Sequence, residues 1–246
     1  MSEAASDKVT AHRFHVPASE TAQTKAPAHV AAMFNVIAKR YDLVNTVVSF
    51  GRNRGWRRHT TAAINPGPGE QILDAAGGTG SSAAPLAAAG AVVTVCDISD
   101  GMIAVGRRRY PEIQFIVADA GGLPFEAETF DKVTVTFGIR NMPNPPKVLA
   151  ELARVTKPNG KLVICEFSQP TNYWLRKVYP LYLEYVLPVI AGAITRDRGA
   201  YTYFANTIVE WPNQVQFARL IKNNGWHKVG YRNLTGGIVA IHWATR

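Results

Sequence analysis

From His29 onward, apolar side chains return every three or four residues: Val30, Met33, Phe34, Ile37, Ala38 and Tyr41. That period puts them on one stripe of a helix. A second helical pattern spans Arg54 to Ile64, and Gly67-Pro68-Gly69 closes this helical cap, residues 29–66. Beyond it the period changes. Five short runs, QILDA, VVTVCDI, IQFIVAD, KVTVTFGI and KLVICEFS, are apolar and β-branched, as strands buried on both faces must be. Helical stretches lie between them: SSAAPLAAAG, SDGMIAVGRRRY and PPKVLAELARVTK, with stops at Gly90 and at Pro158-Asn159-Gly160. Alternating strands and helices predict an α/β fold built on a doubly wound, mainly parallel sheet. Such a sheet binds its ligand at the carboxyl ends of its strands.

The alternation stops near Tyr173. From there to about Glu210 the chain is aromatic and helical with no strand, which predicts an inserted helical lid at about 170–210. A helix around Gln214 to Asn224 follows. Two consecutive strands, HKVGYRNL and IVAIHWAT, come next and are joined at Gly236-Gly237, so they pair antiparallel and bring the sheet to seven strands. Residues 1–28, rich in Ala, Ser, Thr and charge, read as a flexible N-terminal arm, and residues 29–246 as a single domain. There are no internal repeats.

Composition narrows the classes. A chain of 246 residues with 47% apolar content fits one α/β domain with decorations and a real core. Cys96 and Cys165 sit inside apolar runs and read as reduced core residues, with no metal or disulfide spacing. The polar start MSEAASDKV is no secretory signal, so a cytoplasmic location is expected. Net charge is +9, from 27 Lys+Arg against 18 Asp+Glu. That balance suits an anionic surface, nucleic acid or phospholipid, or it serves solubility alone. A nucleic-acid surface needs a basic patch interleaved with exposed aromatics. Here the basic residues scatter, apart from Arg52 to Arg58 and Arg107 to Arg109, and no nucleic-acid partner is expected. No membrane span is expected either, because the uncharged stretch Tyr185 to Thr195 is far shorter than the ~20 residues a span needs.

The sharpest motif is Asp74-Ala75-Ala76-Gly77-Gly78-Thr79-Gly80, directly after the first strand. Its glycines permit a tight turn and close backbone approach to a ligand. Asp97 ends the second strand, where a carboxylate accepts hydrogen bonds from two ribose hydroxyls. Asp119 ends the third, where an adenine edge is expected. Gly78 to Ala83 also fits a dinucleotide-binding pattern, with Asp97 at a suitable distance. Two features argue against it. Asp74 ahead of the glycines repels a pyrophosphate and welcomes a sulfonium or ammonium, and the terminal hairpin is foreign to a plain dinucleotide fold. A helix-capping role for Asp74 is the alternative.

The loop DAAGGTG with Asp97 resembles class I S-adenosyl-L-methionine-dependent methyltransferases, which are Rossmann-like. The segments MFNVIAKRYDLVN, SFGRNRGWRR, LPFEAETFD, TFGIRNMPN, RVTKPNGKLVICEFSQP and YRNLTGGIVAIH resemble the ubiquinone/menaquinone biosynthesis C-methyltransferases, in order from about Val30 to His242. The resemblance implies S-adenosyl-L-methionine as cofactor, with Gly77, Thr79, Asp97, Met102, Asp119, Ala120 and Thr136 around it and Asp74 beside the loop. Two positions depart from the pattern: Ser81 stands where the family usually has an acid, and Ala75 where it usually has Leu. The segments ARVTKPNGKL and NGW look closest to menaquinone-only members, which favours demethylmenaquinol as acceptor over a methoxy-benzoquinol. A methyltransferase for another lipid, such as a sterol or fatty acyl chain, and an RNA-binding or RNA-methylating protein are the other readings, followed by a non-catalytic cofactor-binding subunit.

Methylating a quinol ring carbon requires the ring held in line and the neighbouring hydroxyl partly deprotonated. Arg140 and Asn141, just past the fourth strand, are placed to stabilise a developing phenolate and to orient a hydroxyl. Pairing of Arg140 with a local acid is the structural alternative. Tyr41 and Asp42 can cover the cofactor from the N-terminal helix, or Tyr41 can be core. His242 reads as a core histidine, and no metal site is expected. The lid aromatics Tyr173, Trp174, Tyr179, Tyr182 and Tyr185, flanked by Lys and Arg, suit peripheral contact with the inner face of a membrane or ordinary packing. A lipid quinol is the expected partner, and a homo-oligomer is left open.

Overall fold

The computed structural model describes residues 26–195 and 199–246. Its sheet has seven strands in the order β3-β2-β1-β4-β5-β7-β6. The strands are β1 (Gln71–Ala75), β2 (Val92–Asp97), β3 (Gln114–Val117), β4 (Phe130–Thr136), β5 (Thr156–Phe167), β6 (His227–Leu234) and β7 (Val239–Thr245). The first five pair parallel. β7 inserts between β5 and β6 and runs antiparallel to both. The order reverses between β1 and β4, so the loops after these strands part and leave a crevice there. The seven-stranded doubly wound sheet with its antiparallel hairpin is as the sequence pattern predicts.

Three helices form the cap: α1 (Pro27–Ile37), α2 (Tyr41–Val48) and α3 (Arg52–Ile64). The sequence pattern runs unbroken from Val30 to Tyr41, but the chain turns at residues 38–40, and Tyr41 opens a new helix. The turn lets Val44 and Val48 face the lid instead of the sheet. Residues 1–25 of the expected arm lie outside the described residues. The helix expected over 81–90 shrinks to α4 (Ala84–Ala88), because Ser81 to Ala83 are used to turn out of the glycine loop. The remaining sheet helices are α5 (Asp100–Arg109) and α6 (Pro145–Val155), capped by the side chains of Ser99 and Asn144.

The lid is α7 (Tyr173–Leu181), a π-turn over Tyr182–Val186, α8 (Leu187–Thr195) and α9 (Gly199–Glu210). The helical run Tyr173–Ile194 has 22 residues and is long and apolar enough to cross a bilayer by length and composition alone, which corrects the expectation from the uncharged stretch. One face of it belongs to the core, since Leu183, Leu187 and Ala191 pack with Val44 and Val48. The Tyr182 hydroxyl donates to the Val48 carbonyl at 2.5 Å, and Arg40 donates to the Ile194 carbonyl at 2.5 Å. Lid and cap are therefore one packed unit at the carboxyl edge of the sheet.

Behind the site, α10 (Gln214–Lys222), with a capping box at Asn213 and Gln216, and α6 cover one sheet face. His242 is core, as read from the sequence. Its Nε2–H donates to the Gln214 carbonyl at 3.0 Å, and burial pushes its pKa down to about 4. Trp226 is fully buried in this layer, and its indole N–H donates to the Leu149 carbonyl at 3.0 Å. Trp226→Ala removes that volume and the indole hydrogen bond. It should cost about 3–5 kcal/mol of stability, read as a lower urea midpoint at an unchanged m-value.

Candidate active site

The glycine loop shapes the first of two adjoining cavities. A Cβ on Gly77 would stand 2.7 Å from Asp74 Oδ2 and 2.9 Å from Val95, so only glycine lets the chain pass there. Gly80 has φ +79°, and a Cβ would meet Phe115 at 2.7 Å. Two residues with side chains, Ala76 (φ 54°) and Phe137 (φ 59°), are held in the same left-handed region. Both line this cavity, and strained backbone of this kind persists where the surrounding structure over-determines it.

This first cavity, of about 90 Å³, is floored by Gly77 and Gly78 and flanked by Asp97, Met102, Asp119, Ala120 and Asn141. Asp97 accepts from the Gly78 N–H and the Ser99 N–H, both at 2.9 Å, which fixes the carboxylate while leaving lone pairs for a ligand. Burial pushes its pKa up to about 6 against those two donors. Asp119 is exposed and accepts the Gly121 N–H. The roof comes from α1: Pro27, Val30 and Phe34 complete the cavity. None of the three was singled out in the sequence as a cavity residue, because an apolar helix face looks the same over a core or over a ligand. Asn35 fastens the roof, accepting from the Ser99 hydroxyl at 2.5 Å and the Gly101 N–H at 3.0 Å.

Three residues expected at the cofactor stand one layer away. The Thr79 hydroxyl donates to Asp42 Oδ2 at 2.9 Å, which ties the glycine loop to the cap. Thr136 ends β4 on the opposite side, where its hydroxyl borders a small void with Arg57, Thr60 and Thr134. Asp74 is fully buried beneath Gly77, and neither of its oxygens has a hydrogen-bond partner among the described residues. Burial lifts Asp74 to about 7, with Arg57 opposing and Asp97 adding to the rise. An orphaned carboxylate under the loop fits a cationic ligand above it and fits a pyrophosphate poorly.

The second cavity, of about 270 Å³, lies between cap and lid. Tyr41 and Phe137 line both cavities, so the two meet there. Its walls are mostly rings and aliphatic chains, Trp56, Phe167, Tyr179, Tyr182, Leu187 and Phe204 among them, and its rim includes Phe50 and Val178. Among the described residues no carboxylate or imidazole lines it, while Arg52 and Arg57 do. Burial raises Tyr41 against the pull of the Arg140 charge and a hydrogen bond to Asn45, so it is a neutral phenol at physiological pH.

Arg140 does not line either cavity. Its guanidinium is 1% exposed, donates to Glu166 Oε1 at 2.8 Å and to the Phe137 carbonyl at 2.6 Å, and lies 5.0 and 4.6 Å from the ring centroids of Phe167 and Phe204. Pairing with an acid, one of the two readings of Arg140, is therefore what its geometry gives. The acid, Glu166, was present in EFSQP, but sequence offers no distance between segments 26 residues apart. Burial pushes the Glu166 carboxyl up, while Arg140 and the N–H groups of Phe167 and Arg140 oppose.

A model of the ubiE/COQ5 methyltransferase family matches residues 20–246. A demethylmenaquinone methyltransferase of Streptomyces griseus is 49% identical over 222 residues, which is 90% of this chain and 96% of the relative. One of Renibacterium salmoninarum is 49% identical over 226 residues, covering 92% and 95%. Among solved structures, a SAM-dependent methyltransferase of Thermotoga maritima superposes with a TM-score of 0.65 over 87% of this chain and 98% of the other, at 16% identity. A SAM-dependent methyltransferase of Aquifex aeolicus gives 0.57 over 77% and 88%, at 17% identity. At such identities these structures share the fold.

The two raised carboxylates set a sign. Both bind their protons more tightly folded than unfolded, where the value is about 3.9. Ionising them therefore costs stability, and stability returns as pH falls through about 7 for Asp74 and about 6 for Asp97. Below 6.5 the depressed His242 opposes the trend, so a comparison with a variant at each pH isolates the effect. Ligand-free Asp74→Asn should be more stable than the parent at pH 8, by roughly 1–3 kcal/mol. The gap should close toward pH 5 in thermal melts.

Proposed function

This chain belongs to the ubiE/COQ5 methyltransferase family, and from that premise we propose that it methylates a ring carbon of demethylmenaquinol to give menaquinol. The observation that carries this reading is the meeting of the two cavities at Tyr41 and Phe137. One is a small glycine-floored cleft with acids, and the other a larger apolar cavity that opens between cap and lid. The cofactor is S-adenosyl-L-methionine. When bound, it supplies an electrophilic methyl carbon.

Gly77, Gly78, Asp97, Met102, Asp119, Ala120 and Asn141 would hold it, with Asp74 adding negative charge from below. Asp97 would accept from its ribose hydroxyls. The chain then has three tasks. It excludes water, through the cap helices and the ring-lined walls. It orients the acceptor ring between Trp56, Phe137 and Phe167 so that one carbon faces the cleft. It also stabilises negative charge on the neighbouring ring oxygen as the proton leaves. Among the described residues no carboxylate or imidazole lines the cavity, so the oxygen meets donors: the Tyr41 phenol, the Asn141 amide of the adjoining cleft and the Arg52 and Arg57 side chains of the lining, with the Arg140 charge behind the aromatic wall. The reaction would exchange the methyl–sulfur bond for one C–C bond, with the broken bond's electron pair leaving on sulfur as a neutral thioether; the ring carbon loses its hydrogen as a proton when aromaticity returns, and the hydroxyl regains its own.

The acceptor is a lipid, and the protein meets it at a membrane surface, peripherally and on the cytoplasmic face. The outer side of the lid supports this reading: Trp174 is 70% exposed and Tyr185 57%. Across the cavity mouth Phe50 is 73% exposed. Exposed apolar surface of this extent, at the opening of an apolar cavity, suits an interface between water and lipid. With its inner face fixed in the core, the lid lies along the surface rather than spanning it.

Turnover should require the reduced ring, since an oxidised quinone has no hydroxyl to deprotonate and its ring carbon is electrophilic. Methyl incorporation from labelled cofactor should therefore depend on dithionite, and equal incorporation without reductant would sink the reaction proposed. Asp97→Ala should weaken cofactor binding by roughly 3–6 kcal/mol in calorimetry, for two charge-assisted hydrogen bonds at about 1.5–3 each.

Arg140→Lys separates charge from geometry. The charge stays, but the planar guanidinium, whose Nη1 donates to both Glu166 and the Phe137 carbonyl while its face lies against Phe167 and Phe204, is lost. We expect kcat to fall roughly tenfold, less than the 10²–10³ seen when a donor touching the transition state is removed. Cofactor affinity should be unchanged in the same calorimetric assay.

A further inference from the structure

Two basic runs stood out in the sequence, and the reaction leaves most of their residues unused. The fold brings them together. α3 supplies Arg54, Arg57 and Arg58 to one wall of an open groove, and Arg109 at the end of α5 stands on the other, with the Ser81 hydroxyl between. Among the described residues Asp42 is the one carboxylate lining it, already held by Arg109 at 2.5 Å and Arg57 at 3.6 Å. Arg54 and Arg58 are exposed and have no partner among the described residues. They stand four apart on one helix, where like charges repel, and no acid in the groove relieves them. Four guanidiniums against one carboxylate leave a net charge of about +3 in a groove whose rim also offers Thr46, Thr61 and Tyr110.

We propose that this groove binds the phosphate headgroup of an anionic phospholipid and so seats the protein on the bilayer beside its acceptor cavity. The inference rests on the membrane reading above. Guanidinium forks match pairs of phosphate oxygens, so the chemistry is that of a phosphodiester or phosphomonoester. Position selects the lipid as its source. α2 lines the groove with Asp42 and Thr46 and presents Leu43 and Val47, both exposed, on the adjoining strip of the same helix. Phe50 follows at the end of that helix, on the rim of the acceptor cavity. A headgroup in the groove and acyl chains against Leu43, Val47, Phe50 and Trp174 are then satisfied by one docking plane. The overall charge of +9 favours the same partner.

The test is co-sedimentation of the full chain with vesicles of phosphatidylcholine alone or mixed with phosphatidylglycerol. It uses wild type, Arg54→Gln/Arg58→Gln, a control pair Lys228→Gln/Arg232→Gln on the far edge strand β6, and Trp174→Ser. The wild type should prefer the anionic vesicles. Arg54→Gln/Arg58→Gln should lose roughly 20-fold of that preference, at about fivefold per basic residue near an anionic surface. It should keep its binding to phosphatidylcholine and its turnover on detergent-dispersed quinol. The control pair should lose far less, and Trp174→Ser should weaken binding to both vesicles alike. Equal losses in the two Arg/Lys pairs would reduce the effect to net charge and overturn the groove. So would displacement by inorganic phosphate at constant ionic strength, which would assign the groove to a soluble phosphate compound, or tighter binding to a short RNA than to anionic vesicles. A wild type that binds neither vesicle would overturn the membrane reading itself, whereas binding to both without preference would overturn the groove alone.

Discussion

Asp42 holds the site together. Its carboxylate accepts from the Thr79 hydroxyl, pairs with Arg109 and faces Arg57, and so fastens α2 to the glycine loop, to α5 and to α3 at once. Burial alone would raise its pKa; the hydrogen bonds from Arg109 and Thr79 outweigh that and keep it ionised. Tyr41 is its neighbour in the chain, so the residue that joins the two cavities is placed by this anchor. The second fastening, Asn35 to the loop after β2, secures the roof over the first cavity. These polar ties set the register of α1 and α2 on the sheet, as the Trp56 indole N–H to the Thr235 hydroxyl does for α3.

The Arg140–Glu166 pair follows a different logic. Two buried charges are costly to desolvate, and breaking such a pair costs about 3–5 kcal/mol while its net contribution to stability is small. A fold retains that arrangement more readily where the charge is useful. Here the guanidinium lies against Phe167 and Phe204, two rings that wall the acceptor cavity, and its field reaches the phenols of Tyr41 and Tyr179. A cation one layer behind the Phe167 and Phe204 rings raises the stability of a phenolate from outside the cavity, in addition to Arg52 and Arg57 on the lining. Tyr41 and Tyr179 themselves are raised by burial, which keeps them as neutral donors.

The exterior obeys the same division between apolar and charged surface. Along α2, successive strips face the acceptor cavity, the arginine groove and open solvent: Tyr41 and Asn45, then Asp42 and Thr46, then Leu43 and Val47. A helix of two turns can do this only because 3.6 residues per turn distribute eight positions around its whole circumference. Its sequence, YDLVNTVV, carries an apolar stripe of Leu43, Val44, Val47 and Val48, of which Val44 and Val48 are buried while Leu43 and Val47 stay exposed.

The sequence by itself determined the sheet, the loop and the acids at the strand ends. These depend on local rules: period two or continuous apolar runs for strands, glycines where a Cβ would clash, a carboxylate where a strand ends. Asp97, Asp119, Asn141 and Tyr41 line the cavities as their positions in the chain implied, and so do Gly77, Met102 and Ala120, which the family resemblance had implied. Only the tertiary structure decided what Thr79, Asp74, Thr136 and Arg140 touch, because each answer depends on a partner far along the chain or on which side of the sheet a side chain leaves. Asp42 accepts Thr79 from 37 residues away, Glu166 captures Arg140 across two strand ends, and alternation along β4 sends Thr136 to the side opposite the cofactor. The two arginine runs, about fifty residues apart, form a groove only once α3 and α5 are laid beside the glycine loop. One-dimensional periodicity records which face of an element is buried. The identity of what buries it is set by packing between elements, and that information is carried jointly by residues that no local pattern connects.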